Sequence, residues 1–103
     1  MVFGEEINEI SENFPNKELY NLSSQIRRAA DSIALNIAEG SIEQSKAEFQ
    51  RFVGYSIRSL AEVVTCLHKA KTRKYLTDEK FQQLYNDSFY LMNMMIAFKR
   101  NIK

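Results

Sequence analysis

The sequence predicts an all-α fold, an antiparallel, left-handed four-helix bundle with a short first helix and three longer ones. Two observations carry this. The 103 residues include only 3 glycines and 1 proline, too few turn-formers for a sheet-rich architecture. Apolar residues instead recur at 3-4 spacing through long segments separated by helix-capping residues. The chain is one domain's length, so residues 1–103 are read as a single bundle. Heptad-like spacing on the last two helices favours shallow, left-handed crossings.

The first helix is expected over about residues 2–13. Ile7 and Ile10 share one side, while Glu5, Glu6, Glu9 and Glu12 face water. Phe14-Pro15 ends it, because a residue preceding proline is pushed out of the α region. The second helix is expected from Lys17 to Glu39 with Asn16 as its N-cap. Leu19, Leu22, Ile26, Ala29 and Ile33 form its apolar face, flanked by Ser23, Ala30, Ala34 and Ile37. Gly40 is expected just past its end, in the left-handed conformation. The third helix opens on a capping box, Ser45 to Glu48. Phe49, Val53, Ser56, Leu60, Val63, Leu67 and Ala70 form its seam. The fourth opens at Thr77-Asp78-Glu79, a capping residue followed by acids that suit a helix N-terminus. Phe81, Leu84, Ser88, Leu91, Met95, Phe98 and Ile102 form its seam. Short connections imply antiparallel neighbours.

Composition excludes several classes. Hydrophobic residues make up 45% and charged residues 26%, a globular rather than disordered balance. The formal net charge is +1, so the domain lacks the strong basic excess of a simple nucleic-acid binder. A single cysteine, Cys66, forms no internal disulfide and suits a reducing cytoplasm. The N-terminal MVFGEEINEI is acidic and carries no leader-like apolar core. No segment has the length and apolarity of a membrane span; Asn93 interrupts the most apolar run, LMNMMIAF.

The fourth helix carries more apolar surface than one seam requires. Tyr85, Phe89, Met92 and Ile96 form a second stripe beside the first, and a second copy of the chain is the economical cover for it. A broad internal core with Tyr85 partly exposed is the alternative. The second helix carries a polar line, Gln25, Arg28, Ser32, Asn36 and Glu39, with Leu35 and Ile42 nearby. That line is either a solvated face or a hydrogen-bonded strip between subunits.

No catalytic constellation emerges. His68 is the sole histidine, and the position three residues before it is Thr65, not the glutamate of a di-iron bundle. Cys66 reads as a buried small apolar residue. Gly4, Gly40 and Gly54 are too dispersed for a phosphate loop. Ser32, Ser59 and Ser88 sit mid-helix outside any nucleophile elbow. No enzyme activity, cofactor, metal or small-molecule substrate is therefore expected. Basic residues offer the remaining chemistry. Arg27, Arg28, Arg51 and Arg58 lie on the two central helices, Lys69, Lys71, Arg73 and Lys74 at one bundle end, and Lys99, Arg100 and Lys103 at the other. Both terminal clusters also suit helix C-termini; repeated in an oligomer, they would add avidity for phosphates.

Several stretches carry a family resemblance. Phe14-Pro15, Glu18-Leu19-Tyr20, Leu22, Gln25-Ile26-Arg27-Arg28-Ala29, Ser32-Ile33 and Asn36-Ile37-Ala38-Glu39-Gly40 resemble the bundle proteins encoded in bacterial 23S rRNA intervening sequences, once labelled S23 ribosomal proteins. Tyr55-Ser56-Ile57-Arg58-Ser59-Leu60-Ala61-Glu62 resembles the same family's third helix. The chain is also similar to the accessory variability determinant proteins of diversity-generating retroelements, pentameric barrels that bind nucleic acid and a reverse transcriptase. The resemblance implies a non-enzymatic homopentamer. It places Gln25, Arg28, Ser32, Asn36, Glu39 and Glu62 among the matched polar positions, and favours a structural or interface role for the polar line. The retroelement relatives are strongly basic, whereas this chain is near neutral. Relatives also carry a further stretch before the short first helix. The resulting expectation is a bacterial cytoplasmic scaffold. It would bind RNA, DNA or a nucleic-acid-handling protein through Arg27, Arg28, Arg51 and Arg58. The alternative is a protein-binding or structural oligomer without nucleic-acid contact.

Overall fold

The computed structural model describes residues 2–42 and 45–102. Four α-helices account for most of them: α1 Val2–Glu12, α2 Leu22–Ser41, α3 Lys46–Thr72 and α4 Asp78–Arg100, with a 3-10 turn at Asn16–Glu18 between α1 and α2. No strand occurs among the described residues. Consecutive helices run antiparallel. Ser23 of α2 reaches Ser11 near the end of α1, Ser59 of α3 reaches Ser32 of α2, and Gln50 near the start of α3 reaches Lys99 near the end of α4. The arrangement is bundle-like and elongated, 43 × 25 × 19 Å.

The seams fall where the 3-4 spacing puts them. Ile7 and Ile10 of α1 are buried with Leu22, Ile26, Ala29 and Ile33 of α2. Val53, Leu60, Val63, Leu67 and Ala70 of α3 join them, as do Phe81, Leu84 and Met95 of α4. Burying each large aliphatic side chain contributes on the order of 1.5–3 kcal/mol. Two buried serines stay satisfied by bonding to backbone carbonyls. Ser56 Oγ donates to Ile33 O across the α2–α3 seam at 2.7 Å, and Ser88 Oγ donates to Leu84 O at 2.7 Å. Cys66 is buried, as its neighbours predicted, and that burial pushes its thiol above the ordinary value.

The helix ends depart from expectation in four places. First, α2 starts at Leu22 rather than Lys17, and Asn16 does not cap it. The chain turns through the 3-10 segment, which leaves Leu19 46% exposed instead of in the core. Second, Gly40 lies inside α2 without a positive φ. Its value is the missing Cβ, which would stand 2.7 Å from Phe52 Cβ and 2.9 Å from Phe49 Cδ1. Glycine there lets α2 approach α3 closely. Third, only half of the capping box forms. Ser45 Oγ accepts from Glu48 N at 3.3 Å, while the Glu48 carboxylate turns to Arg51. Fourth, Phe98 is 49% exposed, with one edge on Phe49.

The remaining ends are well served. Thr77 Oγ1 accepts from Lys80 N at 3.1 Å and caps α4. Gln50 Nε2 donates to the carbonyls of Lys99 and Ile102, both at 3.2 Å, tying the end of α4 to α3. α3 ends in a Schellman motif with Lys74 at φ 64°. There Tyr75 N donates to Ala70 O at 2.8 Å and Lys74 N to Lys71 O at 2.9 Å. Glu6 of α1 does not simply face water; it accepts from Lys80 and Gln83 of α4 and draws the first and last helices together.

Candidate functional site

Along the polar line of α2, Gln25, Arg28 and Glu39 are exposed while Ser32 and Asn36 are half-buried. The first half of this line forms one wall of a groove of about 420 Å³ at the α2–α3 seam. Gln25, Arg28, Ala29 and Ser32 come from α2, and Ser59 and Glu62 from α3. The floor is hydrogen-bonded. Ser59 Oγ lies 2.9 Å from Ser32 Oγ and 3.1 Å from Tyr55 O. Asn36 Nδ2 donates to Ser32 O and Ser32 Oγ, both at 2.9 Å, one turn further along α2. Small side chains at Ala29, Ser32 and Ser59 let the helices meet and leave room above the contact. The end groups of Gln25, Arg28 and Glu62 make no hydrogen bond or ion pair among the described residues. Glu39 lies beyond, exposed, near Leu35 and Ile42, which are 63% and 75% exposed.

The four arginines singled out by sequence do not form one patch. Arg27 points the other way, and its Nε donates to Ser11 Oγ of α1 at 2.7 Å, which makes it a tie between helices. Arg28 lines the groove. Arg51 is exposed and paired with Glu48. Arg58 is exposed, its guanidinium 5.4 Å from the Tyr55 ring centroid. Arg51, Tyr55, Arg58 and Glu62 follow 3-4 spacing, so they share the outer face of α3 beside the groove. The terminal clusters are partly engaged. Arg73 is tied to Glu18, and Lys71 Nζ sits 4.5 Å from the Phe81 ring centroid. Lys103 lies outside the described residues.

On the opposite flank, α4 exposes the surplus stripe. Phe89 is 62% and Ile96 42% exposed, with Tyr85 and Met92 half-buried. A small cleft of about 200 Å³ runs between this stripe and Ala61 and Val64 of α3. Tyr90 and Met94 extend the apolar surface further around the helix. His68 is exposed, with its ring centroid 5.1 Å from that of Phe81 and 5.7 Å from that of Tyr85. No cluster of His, Cys, Asp or Glu suited to a metal ion occurs among the described residues.

One polar cluster had no sequence signal. Glu18 is buried in the α1–α2 turn. Its carboxylate accepts from Tyr75 Oη at 2.7 Å, Arg73 at 2.9 Å and Asn21 Nδ2 at 3.1 Å, and lies 3.5 Å from the amide of Leu22. The Tyr75 hydrogen bond, followed by the Leu22 amide and the Arg73 charge, holds the Glu18 carboxyl below its usual value against the opposing effect of burial. The same bond, with burial, raises Tyr75. The partners are 55 and 57 positions away in sequence, so no local pattern could announce them. The cluster fixes the entrance of α2 against the exit of α3.

No curated protein matches the chain. A crystal structure of a protein of unknown function from the S23 ribosomal protein family of Bacteroides thetaiotaomicron superposes with a TM-score of 0.87 at 25% sequence identity. The match covers 96% of this chain and 89% of that one. The profile of the 23S rRNA-intervening sequence proteins matches residues 1–97, and the chain belongs to that family.

Proposed function

We propose that this protein is a non-enzymatic, cytoplasmic scaffold, a left-handed four-helix bundle assembling as a homopentamer that binds RNA or DNA. The observation that carries the nucleic-acid reading is the outer face of α2 and α3. Arg28 stands at a groove of hydrogen-bonding groups, with Arg58 on an aromatic ring and Arg51 along the same helix face. Repeating this face around an oligomer would multiply weak phosphate contacts into useful avidity. Assembly is supported by two dissimilar apolar patches on opposite flanks. One is the α4 stripe of Tyr85, Phe89, Met92 and Ile96; the other is Leu35 of α2 with Ile42 just past its end, bordered by Asn36 and Glu39. Unlike patches pair head-to-tail, and head-to-tail pairing forms a ring where the rotation closes, rather than a two-fold dimer. Gln25 and Ser32 lie further along the same α2 line, on the groove side.

The test is titration of labelled structured RNA and duplex DNA at low and physiological salt. Affinity that falls steeply with salt supports several phosphate contacts. The triple variant Arg28→Ala, Arg51→Ala, Arg58→Ala should abolish binding and leave the oligomer intact; unchanged binding would overturn the assignment. Adding Arg27→Ala, the fourth arginine of the sequence reading, would also cut the tie to Ser11. The second reading, a protein-binding or structural oligomer, is favoured by the net charge of +1. Absence of binding at low salt would select it.

A further inference from the structure

The groove between α2 and α3 is chemically unlike a phosphate cradle. A phosphate site gathers cations and backbone amides, yet here a carboxylate, Glu62, shares the groove with the Arg28 guanidinium. Both end groups, and the Gln25 amide, make no hydrogen bond or ion pair among the described residues. The seryl floor is satisfied by Ser32, Ser59 and Asn36 bonding to one another and to the backbone. The walls therefore offer a fork of donors, an acceptor pair and one amide that supplies both. A ligand that matches these groups presents acceptors on one edge and donors on another. The volume of about 420 Å³ suits a group of nucleoside size.

We propose that this groove receives a guanine base splayed out from single-stranded RNA. Guanine presents the acceptors O6 and N7 to an arginine fork, the commonest base-specific pairing. On its other edge N1–H and the N2 amine form a donor pair matching the two oxygens of a carboxylate. Arg28 takes the first edge and Glu62 the second. Adenine and uracil lack that donor pair, and cytosine lacks the O6/N7 edge. Tyr55 and Arg58 lie on the α3 face beside Glu62, where a ring and a guanidinium plane suit a neighbouring base and its phosphate. This inference rests on the nucleic-acid reading above and specifies what that face selects.

The test uses the full chain and labelled uridine decamers carrying one central guanosine, inosine, adenosine or uridine, alongside titration with guanosine monophosphate. The guanosine oligomer should bind about tenfold or more tightly than the adenosine and uridine ones. Inosine, lacking the N2 amine, should lose about tenfold as well. Glu62→Gln should level these differences and leave the salt dependence unchanged, because Glu62 touches no phosphate. Glu62 is exposed, so the variant keeps its fold, and the helical circular dichroism signal checks this. Equal binding of all four oligomers, unaffected by Glu62→Gln, would overturn the guanine site while leaving nucleic-acid binding in place. Binding of guanosine monophosphate that depends on Glu62, with no RNA binding, would support the guanine chemistry, make a free nucleotide its source and overturn the RNA reading. Failure of both the oligomers and guanosine monophosphate to bind would overturn the guanine site, while the titrations with structured RNA and duplex DNA decide the nucleic-acid reading separately.

Discussion

At the scale of single residues, the structure is decided by a few side chains whose partners lie far along the chain. Glu18 is the clearest. Its carboxyl is held below the ordinary value, so the stability it contributes is present above the unfolded-state value and is lost as pH falls through the lowered folded one. Glu18→Gln should therefore lower the melting temperature most at neutral pH. The gap to the parent should narrow on acidification, once the parent carboxylate is itself protonated; thermal melts across an acid series measure this. A gap independent of pH would show that the charge of Glu18 plays no part. Lys74 is the opposite case, a residue whose conformation is costly. At φ 64° it sits in the left-handed region, which disfavours any side chain with a Cβ. Lys74→Gly should stabilise the protein by about 1 kcal/mol, read from urea denaturation.

At the scale of elements, caps and seams fix where helices begin and how they meet. Ser45 and Thr77 each accept an amide from three residues ahead, at the entrances of α3 and α4. Ser45→Ala and Thr77→Ala should each cost about 1 kcal/mol. The helices run antiparallel, so these caps lie at opposite ends of the molecule and the two losses should add. A double-mutant cycle by denaturant unfolding checks both values and their sum. α2 packs closely on α3 because Gly40, Ala29 and Ser32 keep α2 narrow along that seam. That same narrowness leaves the groove above Ser59. Packing and site therefore share a cause.

At the scale of the whole molecule, α3 lies between α2 and α4, so the two outer helices turn unlike surfaces to either flank. The α4 flank exposes Phe89 and Ile96; the α2 flank exposes Leu35 and Ile42. Phe89→Glu should break the proposed assembly into monomers without unfolding them, since the side chain is already 62% exposed in the single chain. Light scattering coupled to gel filtration gives the mass, and circular dichroism gives the helix content. A parent protein that is already monomeric would remove the basis for a ring. A variant that keeps the parent's mass would place the contact elsewhere. No described helix is long and apolar enough to cross a membrane.

What the sequence by itself determined was most of what repeats with a short period. The four helices, most of the seams of α3 and α4, with Phe98 the exception, the capping serine and threonine, and the buried cysteine follow from 3-4 spacing and local hydrogen-bonding chemistry. So did the polar line on α2, and the family could be recognised from it. The tertiary structure decided what depends on residues distant in sequence. It set the start of α2, because Arg73 and Tyr75 hold Glu18 in a turn where periodicity alone would continue the helix. It made Gly40 a packing glycine rather than a left-handed terminator, because two phenylalanines of α3 occupy the space a Cβ would need. It also separated Arg27 from Arg28, adjacent in sequence yet about 100° apart around the helix, sending one to α1 and the other to the groove. Helical pattern is local, and a site is made where two helices meet, so the groove's two walls became one feature only on folding.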